Sequence, residues 1–238
     1  MEFFDFAEAL EEKSLTQDIE SIEGALLEPQ IMDIPEAGEV LVSGDPFEIG
    51  ENLDDYQGDN VYNFGGCCGL VTISNLLTMA GFESSEDEVI GRAISMNLCY
   101  YDVFGDPADN GGTNVFQRQM LLQSYGISST VFSSTTQGGS LDAIADYVEA
   151  GHGVNISVNA GYAWDDPNCI GDGSSNHSIV VTGTVRDPET GDLKGLYVCD
   201  SGLTDRDSDS MFLSVDVLQD AYLDAPGTSV LVTNDPIR

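Results

Sequence analysis

The sequence predicts an α+β domain, with N-terminal helices packed on a C-terminal antiparallel sheet. Two observations carry this reading. Up to about residue 150 the apolar residues recur mainly at helical spacing between recognisable caps, and beyond it they fall in short runs divided by turns. A third observation, 41% hydrophobic residues, supplies enough core to argue against wholesale disorder. The 238 residues suit one domain with an accessory segment.

Residues 1–28 set Phe3, Phe4, Ala7, Leu10, Leu15, Ile19, Ile22 and Leu26 among acids at helical intervals, which predicts one or two amphipathic helices. Residues 29–60 carry Pro29, Pro35 and Pro46 and read as an extended connector with one short strand over 39–43. Together these form an acidic N-terminal segment, 1–60, ahead of a main domain, 61–238.

In the main domain, 67–80 reads as a buried helix with Leu70, Ile73, Leu76, Leu77 and Ala80 on one face and Gly81 as its stop. Ser85 with Glu88 three residues on is a capping box for a helix to about residue 97. A Gly- and Asp-rich loop, 104–113, leads to a helix over 114–125 stopped by Gly126. A strand over 127–132 and a helix over 140–150 follow. Strands are then expected over 154–158, 178–186, 193–200, 212–215 and 229–233, with a short helix near 216–222. The run DPETGD is the turn between the second and third of these strands.

Charge and composition narrow the function. Seven Lys and Arg against 42 Asp and Glu give a net −35, so nucleic acid and anionic membrane surfaces are repelled. Residues 1–60 hold 18 of the acids and a single base, Lys13. No apolar run is long enough to insert into a membrane. The first residues, MEFFDFAEALEEK, lack the basic and apolar regions of a general secretory signal, which leaves the cytoplasm, a specialised export route or excision from a larger protein. Two histidines cannot build a three-histidine zinc site, and five cysteines without a CxxC pair predict a free thiol and no metal or cofactor.

The thiols are the natural starting point for chemistry. The run FGGCCGLVTISNLLTMAG puts Cys67 and Cys68 where a glycine turn enters an apolar helix. A helix start favours thiolate over thiol, and its free N–H groups can receive an oxyanion. The alternative is two small buried residues at a helix start. His177 follows a polar loop and opens the run SIVVTGTV, at the mouth of a core strand. His152, flanked by glycines in AGHGVNISV, reads as a satisfied or solvated side chain. A turn at 188–191 pairs residues whose numbers sum to about 379, which sets Asp200 beside Ile179 and close to His177. Nucleophile, base and orienting acid then follow in the order Cys, His, Asp.

This order resembles papain-like cysteine peptidases, and most nearly the bacterial branch that removes double-glycine leader peptides. The likeness rests on Cys68-Gly69 opening a helix that ends at Gly81, GHGVNI at 151–156, HSIVVTG at 177–183 and YVCDSG at 197–202. It spans about residues 60–235. The resemblance implies that 61–238 is a papain-like catalytic domain, that Cys68 attacks an acyl carbon, and that His177 and Asp200 serve as acid/base and orienter. It also implies a peptide or protein substrate. The family's oxyanion-hole Gln stands six residues before the cysteine, where this chain has Tyr62. Asn63 offers the same amide after a slip of one residue, and Gln57 is the nearest Gln.

The same triad serves deamidases and transglutaminases, including effector toxins, and an inactive binding module would keep the fold without the chemistry. The N-terminal segment is read as a propeptide, a docking element for the catalytic domain or for an export partner, or an export region. Asp205, Asp207 and Asp209 mimic the opening of a calcium loop, but Ser210 stands where Gly is needed. The favoured reading there is a solvated acidic loop. Trp164 is read as a cleft wall or as packing, and Cys99, Cys169 and Cys199 as structural.

Overall fold

The computed structural model describes residues 28–35, 37–44, 46–53, 56–203 and 210–238. The amphipathic pattern of 1–27 and the acids Asp205, Asp207 and Asp209 lie outside them. The architecture is α+β, as the sequence predicts. Its strands are β1 (Gln30–Ile34), β2 (Gly38–Ser43), β3 (Ser129–Ser133), β4 (His152–Val158), β5 (His177–Arg186), β6 (Leu193–Cys199), β7 (Met211–Ser214) and β8 (Ser229–Pro236). They form one antiparallel sheet in the order β1-β2-β5-β4-β8-β3, with β6 on β5 and β7 on β6.

β5 is the hinge of this sheet. Its first half pairs with β4 up to Val181↔Val154, and β2 takes over the same edge from Thr184↔Ser43. Along the other edge runs β6. Being covered on both faces, β5 is buried at every position but Arg186 rather than at alternate ones. Ile179 and Val181 face one core and Val180 the other.

The helices are α1 (Pro46–Gly50), α2 (Cys68–Met79), α3 (Glu86–Met96), α4 (Val115–Ser124), α5 (Leu141–Glu149), α6 (Ala160–Ala163) and α7 (Val215–Leu218). On one face of the sheet α2 buries Leu70, Ile73 and Leu77 with Val180 and Leu231, supported by α3 and α4. On the other, α5 buries Ile144 and Val148 with Ile179, Val181 and Val232. Local signals explain the boundaries. Ser85 accepts the Glu88 N–H at the start of α3, and Asn114 makes a reciprocal capping box with Gln117 at the start of α4. Gly81 and Gly126 take φ of 80° and 88° just beyond α2 and α4, a conformation that suits glycine.

Where a connector with one strand was expected, the chain forms the β1–β2 hairpin. Its partners place Ile34, Val40 and Val42 in a third small core with Val185 and Tyr197. The expected division at residue 60 therefore falls after a hairpin that hydrogen-bonds into the common sheet.

Candidate active site

Cys68 is the first residue of α2, with Cys67 as its N-cap. The glycine turn before it is held from several sides. Gly66 N–H donates to the Asn110 carbonyl (3.0 Å), so the 104–113 loop packs directly on the cysteine turn. Gln57 donates its side-chain amide to the Gly65 carbonyl (2.7 Å) and its backbone N–H to the Ser201 carbonyl (2.8 Å). That residue thus straps the approach to Cys68 to the segment just after Asp200.

The two thiols meet opposite surroundings. Cys67 is fully buried, and its single S–H can be donated to the Phe64 carbonyl (3.0 Å) or to Glu86 Oε1 (2.9 Å). Burial and the Glu86 carboxylate push its proton affinity far above that of an ordinary thiol. Cys68 is partly accessible and hydrogen-bonds His177. Burial disfavours its thiolate, but His177, the Arg118 charge and the Ser178 backbone outweigh that and hold its pKa below the ordinary value.

His177 opens β5, opposite Val158 of β4. Its Nε2 lies 2.7 Å from Asp200 Oδ1, which leaves Nδ1 for Cys68. Burial opposes the imidazolium, yet the Asp200 charge and hydrogen bond, aided by Cys68, push its pKa up to about 10. Asp200 is wholly buried and accepts two further bonds, from Trp164 Nε1 at Oδ2 (2.8 Å) and from Gly202 N–H at Oδ1 (2.9 Å). Burial raises its pKa, but His177, Trp164 and Gly202 together carry it below the usual carboxylate range. The Trp164 ring meets the imidazole edge-on at a centroid distance of 5.0 Å.

The remaining expectations fall elsewhere. His152 sits at the far end of β4, six residues from Val158, which is about 20 Å along an extended chain, and its Nδ1 meets the Thr233 carbonyl (2.8 Å). Asn63 is an exposed turn residue at φ 55° whose N–H donates to the Asn60 carbonyl (3.1 Å). Cys99 and Cys199 are buried, and Asn75 Nδ2 approaches the Cys199 sulfur at 3.7 Å. Among the described residues no group of three or more His, Cys, Asp or Glu is placed to hold a metal ion, and no helix is long and apolar enough to cross a membrane.

Three functional neighbours were not assigned from the sequence: Trp164 as a donor to Asp200, Glu86 as the acceptor behind Cys67, and Arg118. Arg118 stands three residues after Val115 and four before Leu122, on the core face of α4. An arginine at a core position was the signal available.

A family model described as the Peptidase_C39 like family matches residues 54–222. Uncharacterized proteins of Mycobacterium tuberculosis and Mycobacterium bovis are 29% identical over 142 residues, covering 52% of this chain and 60% of theirs. The chain thus spans less than two thirds of the length of these curated relatives. Among solved structures, one described as a C39-like peptidase from Bacillus anthracis superposes with a TM-score of 0.45 at 14% identity, over 71% of this chain and 89% of its own. A double glycine motif protease from an AMS/PCAT transporter, solved with its leader peptide, gives 0.42 at 11% identity, over 71% and 84%.

Proposed function

The chain belongs to the peptidase C39-like family, and from that premise we propose that it is a cysteine peptidase using Cys68, His177 and Asp200. The observation that supports this most is the chain of contacts from the Cys68 thiol through the His177 ring to the buried Asp200 carboxylate. In this reading the Cys68 thiolate attacks a peptide carbonyl carbon, and the carbonyl electron pair moves onto oxygen. The first turn of α2 leaves the Cys68 and Gly69 N–H groups without intrahelical acceptors, and these receive the oxyanion. Collapse of the adduct breaks the C–N bond as the His177 imidazolium gives its proton to the leaving amine. The thioester is then hydrolysed by a water that passes its proton to His177, which restores the thiolate–imidazolium pair.

Asp200 holds the imidazole in one orientation and stabilises its charge, and Trp164 fixes Asp200 in turn. The oxyanion donors proposed are backbone groups. Asn63, exposed on its turn, is left a minor part.

The test is alkylation by iodoacetamide at neutral pH, followed with peptide cleavage by mass spectrometry. Cys68→Ala should abolish site labelling and cleavage, whereas Cys67→Ala should keep most of both. His177→Ala should slow labelling by orders of magnitude. Asn63→Ala should lose less than tenfold in kcat, against the roughly 10²–10³ that a true oxyanion donor commands. Labelling that follows Cys67 instead would move the nucleophile by one residue. Equal labelling of both single variants and the parent would end the cysteine-enzyme reading.

A further inference from the structure

Arg118 lies in the core, 4% exposed, on a helix that otherwise buries Leu121 and Leu122. Its Nη2 donates to Ser157 Oγ of β4 (2.5 Å), and its Nη1 to the Thr113 carbonyl (3.3 Å) and Thr113 Oγ1 (3.4 Å). Its Nε has no hydrogen-bond partner. Among the described residues, no carboxylate lies within ion-pair distance of the guanidinium. A buried, unpaired cation is expensive, because desolvation is not repaid by neutral hydroxyls alone. Burial does draw its pKa down, to about 10, but that leaves it charged at neutral pH.

Gly69 shows where this charge sits. A Cβ there would collide with Thr113 Oγ1 and come within 3.1 Å of Arg118 Cδ and Nη1. The guanidinium therefore runs directly beneath the residue that follows Cys68. Gly69 is itself buried against Thr113 and Arg118, so its missing side chain makes room for the cation.

We propose that Arg118 is a positioning residue for the nucleophile: its guanidinium, locked between α4, β4 and the start of α2, has the Cys68 thiolate as its counter-ion. Two cations then flank the sulfur, His177 from β5 and Arg118 from α4. Asp200 acts on it through His177, while Glu86 of α3 faces Cys67 on the other side. The imidazolium is consumed at each turnover when it protonates the leaving amine, whereas Arg118 passes no proton and keeps its charge through the cycle at neutral pH. Arg118 thereby keeps a positive charge beside the sulfur while His177 is neutral and the sulfur is held as the thioester, ready to receive the thiolate when water displaces it.

This inference rests on Cys68 being the nucleophile, and the experiment separates the two claims. The rate of iodoacetamide labelling is measured from pH 4 to pH 10 in the parent, Arg118→Gln and Arg118→Lys, with folding checked by circular dichroism. Gln retains hydrogen-bonding capacity without charge, and Lys retains charge without the fork. Arg118→Gln should move the profile toward higher pH and label about tenfold more slowly near pH 6, one decade for each pKa unit. Arg118→Lys should stay nearer the parent. A folded Arg118→Gln with the parent profile overturns the proposal, and so does Arg118→Lys shifting as far as Arg118→Gln. Labelling that persists in Cys68→Ala would instead overturn the assignment of the nucleophile.

If Arg118→Gln does not fold, the same claim is read with Arg118 in place. In a His177→Ala background, S-carboxymethyl Cys68, which restores an anion, should melt higher than S-carbamidomethyl Cys68, which is neutral. The difference should vanish in a chain also carrying Cys68→Ala. Equal melting of the two adducts overturns the proposal.

Discussion

At the scale of residues, the site is an exercise in setting proton affinities apart. Two adjacent thiols diverge because one faces a carboxylate and the other an imidazole and a guanidinium. The pH dependence follows from the signs. Cys68 lies below its ordinary value and His177 is pushed up to about 10, so the thiolate–imidazolium pair is the populated form between them. Peptide hydrolysis should climb on the acid side as Cys68 loses its proton, and fall near pH 10 as His177 loses its own. Alkylation should climb with the first limb but persist through the second, because the thiolate survives and no leaving amine needs a proton. Parallel loss of both activities at high pH would contradict this. The meeting of His177 with Asp200 was legible in sequence because a tight turn fixes register: Val180↔Cys199 and Val181↔Val198 are the observed pairs, and Asp200 is the next residue. Arg118 was less so, since its role depends on a gap at Gly69 and a hydroxyl at Ser157 that come together only in the folded chain.

At the scale of elements, α2 is both the floor of the site and the centre of one core. Thr72, one turn below Cys68, donates to the Cys68 carbonyl (2.8 Å) or the Ser178 carbonyl (3.2 Å), so helix and strand meet next to His177. Farther along, Leu77 is fully buried. Leu77→Ala should therefore cost about 2–5 kcal/mol of stability, measured by urea unfolding, while the labelling rate of the folded fraction stays near that of the parent. A large fall in that rate would mean that the helix start is not held independently by Gly66, Gln57 and Thr72. Helices were readable from caps and period, as Ser85 and Asn114 illustrate. β1 was not: Gln30, Ile31 and Asp33 are exposed on an edge strand, so no alternation of burial marks the sequence.

At the scale of the whole molecule, the sheet is closed on one side by residues ahead of the expected boundary at 60. β2 covers the second half of β5, and Ile34, Val40 and Val42 bury Val185 and Tyr197. Three such side chains are each worth about 1.5–3 kcal/mol. A chain starting at residue 46 should thus be less stable than one starting at residue 28 by on the order of 5 kcal/mol, comparable to the whole stability of a small domain. The comparison is a pair of thermal melts. Equal melting temperatures would show the hairpin to be an appendage, and would return the division at residue 60 to favour.

Trp164 is the only tryptophan in 238 residues, and its indole donates to Asp200 while its ring packs edge-on with the His177 ring. The molecule's tryptophan emission therefore arises beside the His177–Asp200 pair, with no second indole to dilute it. An imidazolium in contact with an excited indole accepts an electron and quenches it; the neutral ring does so poorly. Steady-state fluorescence of the unlabelled protein is accordingly an optical titration of His177. It should brighten as that proton leaves, and lose the transition in His177→Ala, which gives a reading of the catalytic charge state without any substrate at all.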